Sequence, residues 1–532
     1  MSFRSGFRSK TRSGPTPKVW RSSILMLFAT LSACMVGPDF KRPELSPAAK
    51  FTRNNPGATA SASTQGGASQ TFYTNRDVPG EWWELFRSKP LNRIVSLAVV
   101  NSPTLAQSEA ALIQAQETAY AAGAALYPTV TGSAGFNRQK FASGGGAQGQ
   151  IISVISPIFS VHSASLALSY TLDIWGGVRR NIESQVANVQ YAQFQVEAAH
   201  LALTSNLLNA VIMEASIKGQ IRATNEIIKV QQQQLNIVRA QFRLGGTDEA
   251  QVLQALASLE QTKATLPALE QSLIVQKNLI NTLAGFFPTE KIVKEFELSD
   301  LVLPRSLPLS VPSELVAQRP DIRSAEAQMW AASANIGVAL ANQLPSFTIT
   351  GNAGNQAEQL FRIFSTGTGV WDISTTLSQK IFDAGALNSQ RKAAIAAFEG
   401  AAANYREVVV TAFGDVANAI SAVQKDADAL KASLAAERSA MRSLKLTQQQ
   451  YKLGAVDLTT LLISVQTYQQ AKINLVQAQA ARFTDTVALF FAMGGGWWNR
   501  PLSAPNRVKE PLTIISAVPP FNRKQIQPVN QP

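Results

Sequence analysis

The sequence predicts a mainly α-helical chain that adds a membrane β-barrel component, built as a tandem duplication in which each half carries a strand hairpin and a long helical hairpin. Three observations carry this. Punctuation recurs: Ser102-Pro103-Thr104-Leu105 and Tyr127-Pro128-Thr129 bracket an Ala-rich run, as do Arg319-Pro320-Asp321-Ile322 and Leu344-Pro345-Ser346, and one interval relates both pairs of prolines. A second shared interval relates Phe242-Arg243-Leu244-Gly245 to Tyr451-Lys452-Leu453-Gly454, and Leu283-Ala284-Gly285 to Ala492-Met493-Gly494. Such self-similarity at fixed spacing governs how the whole chain must be read. Next, the apolar period switches from 3.6 to 2 inside each half. Finally, one long helical stretch in each half matches the summed length of its two helical neighbours.

The first 33 residues have the layout of a secretory signal peptide, with Arg4, Arg8, Lys10, Arg12, Lys18 and Arg21 before a short apolar core from Ile24 to Leu31. They account for much of the formal charge of +13. The remaining basic residues are scattered, which reads as a solvated surface and against nucleic acid. Leu31-Ser32-Ala33-Cys34 resembles a bacterial lipobox, in which the cysteine takes a lipid and becomes the new N-terminus; Cys34 is the single cysteine, with no disulfide partner in the chain. Met35 is not the Asp that in such lipoproteins marks inner-membrane retention, so outer-membrane sorting is expected. No unbroken run of 18 apolar residues occurs, so a membrane-crossing element is expected to be a strand.

Residues 34–80 read as a lipidated N-terminus and flexible spacer, rich in Ser, Ala, Gly and Asn up to Gln70. The first repeat spans residues 81–286. A first helix stops before Pro103, Ser102 caps the next with Pro103 at its first position, and Pro128 ends it near Leu126. Val130, Gly132, Ala134 and Phe136 then alternate with Thr131, Ser133, Gly135 and Asn137, and Leu166, Leu168, Tyr170, Leu172 and Ile174 with Ala167, Ser169, Thr171 and Asp173. These make a hairpin over residues 129–175, with His162 and Gly144-Gly145-Gly146 in its loop. The strand lengths, about ten residues, suit a tilted bilayer crossing with one face to lipid.

After Gly176-Gly177, helical composition continues to Gln241, roughly 96 Å at 1.5 Å per residue. The flanking helices Pro103–Leu126 and Asp248–Ala284 together reach roughly 92 Å. One long helix thus matches two shorter ones end to end, and the turn over 244–248 joins the hairpin at its far end. A proline-punctuated linker covers residues 287–311. The second repeat, 312–496, has a hairpin over 346–382, where Phe347 and Ile349 alternate with Thr348 and Thr350, and Trp371, Ile373 and Leu377 with Asp372, Ser374 and Thr376; its far turn is 453–457. Residues 497–532 read as a Pro-rich tail.

Four strands cannot close a barrel, and an open edge in hydrocarbon leaves backbone groups unsatisfied. Eight strands fill their own interior. Three chains giving a 12-stranded β-barrel are the smallest cyclic solution with a lumen.

The chain resembles the bacterial outer-membrane factor family, the TolC-like exit ducts, within its NodT-type lipoprotein branch. The resemblance rests on Cys34 with Gly37-Pro38-Asp39-Phe40-Lys41-Arg42-Pro43, on Trp82-Trp83-Glu84-Leu85-Phe86, on Pro312-Ser313-Glu314-Leu315 and Gln318-Arg319-Pro320-Asp321-Ile322-Arg323-Ser324-Ala325-Glu326, on Ile336-Gly337-Val338-Ala339, and on Leu489 to Trp498. It covers residues 34–500. It implies a homotrimer with a 12-stranded barrel and a 12-helix periplasmic α-barrel in the outer membrane. It also implies a periplasmic adaptor (membrane fusion protein) and an inner-membrane pump of the resistance-nodulation-division class, which supplies the energy for efflux of small molecules such as drugs through a passive, gated path.

In that resemblance the adaptor-contacting tip turns are Leu244, Gly245, Gly246 and Asp248, and Leu453, Gly454, Ala455 and Asp457. Gly245 and Gly454 suit the left-handed conformation that ends a helix, whether or not a partner touches them, and Asp248 and Asp457 suit the N-caps of the returning helices. Relatives carry acidic rings at the tip; Asp426 and Asp428 lie farther from the turn. His162 and His200 lack partners at ligand spacing, Gly144-Gly145-Gly146 lacks the Lys-Ser/Thr of a phosphate loop, and Trp497-Trp498 reads as packing, so the chain is expected to be no enzyme and to need no cofactor or metal. Two other readings stay open in the residues: the same duct serving ATP-driven protein or polysaccharide export, and a structural coiled-coil envelope lipoprotein.

Overall fold

A computed structural model of the chain describes residues 35–43, 51–52, 56–74, 76–140, 158–290 and 294–500. Cys34, the signal segment, the Gly144-Gly145-Gly146 loop and all but the first residues of the tail lie outside them. In order, the elements are β1 (Thr71–Thr74), a 3-10 turn (Trp82–Phe86), α1 (Lys89–Asn101), α2 (Pro103–Gly123), β2 (Thr129–Lys140), β3 (Ile158–Leu172), α3 (Gly177–Arg243), α4 (Glu249–Lys263) and α5 (Leu266–Leu283). Then follow β4 (Ser306–Leu309), α6 (Pro312–Gln318), α7 (Pro320–Ala341), β5 (Ser346–Ala357), β6 (Gly369–Ser378), α8 (Ala386–Lys452) and α9 (Leu458–Ala492).

The chain divides into two compact units: residues 1–40, 118–186 and 330–399, and residues 41–117, 187–329 and 400–532. Helices α2, α3, α7 and α8 contribute to both. The repeat is exact where it matters most, since α3 and α8 are each 67 residues, about 100 Å long. The halves differ at their return helices. Where α9 runs unbroken for 35 residues, the expected single helix Asp248–Ala284 is interrupted at Ala264-Thr265 and restarts as α5 with Pro267 in its first turn. Proline has no N–H to donate and crowds the preceding turn, so it restarts a helix rather than continuing one. At the equivalent position α9 has Val476, which packs over Gly219 of α3.

In the first unit the sheet order is β2-β3-β5-β6, antiparallel throughout, with β2 and β6 as free edges. The register sorts the side chains. Val130, Phe136, Leu166, Leu168, Tyr170, Leu172, Phe347, Ile349, Trp371, Ile373 and Leu377 fall on one face; Thr131, Ser133, Ser165, Ser169, Thr171, Thr348, Thr350, Asp372, Ser374 and Thr376 fall on the other. On the polar face Ser133 meets Ser165 at 3.0 Å and Thr171 meets Thr348 at 3.3 Å. Two details differ from the sequence reading. His162 is not in a loop, because β3 begins at Ile158, and it sits opposite Phe136 with ring centroids 4.8 Å apart. Asp173 lies past the strand and accepts from the Val178 and Arg179 N–H groups at 2.9 and 3.0 Å, capping α3.

In the same unit Arg180, almost wholly buried, fixes the segment after Cys34. It donates to the Val36 and Gly37 carbonyls at 3.1 Å, to Asp39 at 2.7 Å and to Glu183 at 2.7 Å, and Trp330 donates to Glu183 at 2.8 Å. Gly337 has no room for a side chain: a Cβ would meet Arg180 Cγ at 2.7 Å and the Val36 carbonyl at 2.9 Å.

The second unit holds the main core, in which Trp82, Phe86, Ile94, Leu207, Val211, Phe483 and Phe490 are buried and Trp82 stacks on Phe490 at 5.3 Å. Here the structure corrects the flexible-spacer reading for residues 57–70. Arg482, 1% exposed, donates to the Gly66 and Ala68 carbonyls, to Thr59 Oγ1 and to the Val423 carbonyl. Gln70 is fully buried and reaches the Pro304 carbonyl at 2.9 Å, and β1 pairs in parallel with β4. Small polar residues made this stretch look unstructured; the hydrogen bonds that order it come from distant helices. One stretch of α3 is long and apolar enough to cross a membrane by composition, yet half of it is buried within the protein.

The quoted motifs resolve into local structure. Arg319 grips Asp321 through two nitrogens at 2.7 and 3.1 Å, reaches Asp415 at 3.2 Å and donates to the Ala492 carbonyl at the end of α9. Trp497 donates to the Gln318 carbonyl at 2.6 Å and lies edge-on to Phe194, while Trp498 donates to Asp77 at 2.9 Å, so both tryptophans pack. His200, half-buried beside Trp83 at 6.1 Å, has its pKa pushed down to about 4 by desolvation, which keeps it neutral.

Candidate functional site: the paired helical turns

Each long helix ends in the same device. At the end of α3, Gly245 has φ 75°, its N–H donates to the Phe242 carbonyl, and the Gly246 N–H reaches back to the Gln241 carbonyl at 2.8 Å. At the end of α8, Gly454 has φ 74° and the Ala455 N–H reaches the Gln450 carbonyl at 2.9 Å. A six-residue backbone closure through a left-handed glycine satisfies carbonyls that the helix end leaves open. No atom lies within 4 Å of a Cβ built on Gly245 or Gly454, so the demand there is conformational and not steric.

The chain then turns back through the aspartates. Asp248 accepts from the Gln251 N–H at 2.9 Å, and Asp457 from the Thr460 N–H at 2.8 Å, each as the N-cap of its return helix. The Thr460 hydroxyl and N–H hold the Asp457 carboxyl below its ordinary pKa, so it is ionised at neutral pH. A fixed negative charge there also complements the positive end of α9.

All eight residues expected at the turns therefore fall in two equivalent turns. A shared apolar cluster holds both, including Val238, Leu259, Leu444, Leu458, Leu461 and Val465, and Tyr451 donates to Gln241 across the pair at 2.9 Å. Leu244 and Leu453 point outward, 87% and 84% exposed. On each turn an exposed leucine lies between a basic residue, Arg243 or Lys452, and an N-capping aspartate, Asp248 or Asp457.

Asp426 and Asp428 do not join this surface. Asp426 lies about 40 Å up α8 from the turn. Asp428 pairs with Lys425 at 3.7 Å. Asp426 instead neighbours Asp485 on α9, whose pKa is raised to about 7 by burial and by Asp426 itself, against the pull of Arg482. The sequence reading passed over Asp485, because a single acid in an apolar helical run has no local signal of a partner on another helix.

The sequence profile of the outer membrane efflux protein family fits residues 94–285 and 311–495, one copy in each half. The chain belongs to that family. The pyoverdine export outer membrane protein OpmQ of Pseudomonas putida is 30% identical to this efflux-family chain over 417 residues, covering 78% of it and 88% of OpmQ. The probable outer membrane lipoprotein SilC of Salmonella typhimurium is 26% identical over 482 residues, covering 89% and 98%. Among solved structures, the outer-membrane channel OprN superposes with a TM-score of 0.76 at 24% identity, covering 87% of this chain and all of that one. The fold is thus that of the TolC-like outer-membrane channels, mainly helical, and the protein is an outer-membrane component of an efflux system.

Proposed function

We propose that three copies of this chain form the exit duct of a tripartite efflux pump, a passive gated conduit that carries small molecules such as drugs across the periplasm and outer membrane. The observation that carries this is the sheet: one face apolar, one face polar, and two unpaired edges on β2 and β6. An apolar face suits lipid and a polar face suits a wet lumen, but open edges are not tolerated in hydrocarbon. Edge-to-edge pairing of three sheets gives twelve strands, enough for a lumen, and the long hairpins from three copies supply a ring of helices. The chain holds no energy-coupling machinery in this reading; an inner-membrane pump drives transport.

The turns at Leu244-Gly245-Gly246-Thr247-Asp248 and Leu453-Gly454-Ala455-Val456-Asp457 are the surface that a periplasmic adaptor engages. Their exposed leucines support this. Cys34 carries the lipid anchor: the next residue, Met35, packs against Gly176 beside the end of β3, where an anchor would meet the membrane boundary, and the relative SilC is a probable lipoprotein.

A photoreactive residue at Gly246 or Ala455 in living cells tests the partnership. Capture of an adaptor encoded with a proton-driven pump is expected. Capture of an ATP-driven exporter's adaptor would reassign the cargo to protein or polysaccharide, and no capture from an intact trimer would remove the docking role. Heat-sensitive trimers and conductance in a planar bilayer test the duct itself, and a protein lacking both would be a tether.

A further inference from the structure

The apolar face of the sheet ends in charge. The register that places Val130, Gly132, Ala134 and Phe136 on that face places Arg138 and Lys140 there too, with Ser160 opposite Arg138, Ile158 opposite Lys140 and His162 opposite Phe136 on β3. All of this lies at the end of the sheet opposite the start of α3, where β2 stops and β3 begins. From Leu172 to His162 the strand climbs about 34 Å, or roughly 26 Å along the membrane normal at a tilt of about 40°. That is the height of the apolar band of an outer-membrane barrel, about 25 Å. Arg138 and Lys140 stand just beyond it, both exposed and with no ionic partner among the described residues. No carboxylate occurs on this face of the described strands; Asp372 is on the other.

A lumen-facing or loop cation would need no explanation. Two cations that face the lipid side, in line with an apolar band and with no carboxylate on that face of the described strands, suit the headgroups of the outer leaflet. Arginine grips phosphate through two parallel hydrogen bonds and lysine adds a point charge, and Ser160 sits directly opposite Arg138 on β3. We propose that Arg138 and Lys140 form a binding site for the phosphate of an anionic phosphoglycolipid of the outer leaflet, seated against the apolar strip below it. The site rests on the reading of the sheet as a membrane barrel whose helix-bearing end faces the periplasm.

The test uses the full-length protein purified as its trimer, with lipid binding read by native mass spectrometry. Diphosphoryl lipid A and phosphatidylethanolamine are the probes. R138Q/K140Q is expected to bind diphosphoryl lipid A about thirtyfold more weakly, with phosphatidylethanolamine unchanged, while R138K/K140R retains binding within a few-fold. Equal binding by R138Q/K140Q and the parent overturns the site, as does equal loss of both lipids, which would report a general lipid annulus. Competition by millimolar inorganic phosphate would mark a free-anion site and overturn the lipid assignment. Bilayer conductance separates the two levels. A variant that conducts normally but loses lipid A supports the site, whereas a parent protein that never conducts overturns the barrel reading and the site with it.

Discussion

Replacing Arg482 by Met tests whether residues 57–70 are held or merely near. The guanidinium is 1% exposed and donates at 2.6 Å to the Val423 carbonyl, at 3.2 and 3.4 Å to the Ala68 and Gly66 carbonyls, and at 3.3 Å to Thr59 Oγ1. Met fills much of the same volume without donors. The Gly66 and Ala68 carbonyls then lose their partner in a buried place, at about 1–3 kcal/mol each. Against this, the variant no longer buries a cation whose pKa burial drives downward and which no carboxylate touches directly. The net loss is about 2–4 kcal/mol, concentrated in the strap. Hydrogen–deuterium exchange reads it directly, because the Thr59 N–H donates to the Gln70 carbonyl and the Ala62 N–H to the Gly67 carbonyl. Exchange over residues 57–70 should accelerate by about 30- to 1000-fold while the amides of α8 keep their protection. Unchanged exchange in that peptide would refute the clamp and restore a loosely attached spacer.

Glu214 gives a pH test: burial raises its pKa to about 7, against the pull of Lys218 and Lys277. The buried carboxyl is neutral in the folded chain where the unfolded one has ionised, so its stabilisation is complete below pH 4.5 and is lost as pH rises through 7. Glu214→Gln should flatten the fall in thermal stability between pH 5 and pH 8, by at most about 3 kcal/mol; an identical profile would remove this group from the account. Gly454→Ala, which keeps φ 74° with a Cβ, should cost about 1–2 kcal/mol at the turn alone and leave the melting of the proposed trimer on a gel unchanged, while reducing crosslinking from Ala455; unaltered crosslinking would separate turn geometry from partner contact. Asp457→Ala should fray the first turn of α9 by about 1 kcal/mol, seen as faster amide exchange at Thr460. Cys34→Ser should abolish incorporation of labelled palmitate without altering the sheet; continued labelling would mean another attachment point.

The parts legible in the sequence were those whose cause is local. Alternation named the strands around Val130, Leu168, Ile349 and Ile373 because each residue there reports its own face. It failed at Phe159–His162, where Phe159 and Val161 fall on the polar face and Ser160 and His162 on the apolar one, so the pattern inverts near the start of β3. The turns were legible from Gly245, Asp248, Gly454 and Asp457, since left-handed closure and N-capping need those residue types wherever they occur. The restart of α5 at Pro267 was written in the chain but masked by helical composition on both sides. Arg482, Asp485 and the ordering of residues 57–70 were not legible: Arg482 reaches Thr59 and Ala68 more than 400 residues away, and Asp485 meets Asp426 on another helix that the sequence places only by length.

The unpaired edges of β2 and β6 also constrain how such a molecule is made. On the proposed barrel reading a single folded chain has no stable home: its apolar sheet face would meet water before insertion, and its open backbone would meet hydrocarbon after it. If the proposed three-chain barrel is right, neither solvent accepts the monomer, and the assembled ring would be the first species to reside in a bilayer. In that assembly biogenesis would scale steeply with local chain concentration, the proposed Cys34 tether would raise that concentration on one membrane surface, and overproduction beyond the capacity to assemble would yield edge-paired aggregates instead of half-built pores.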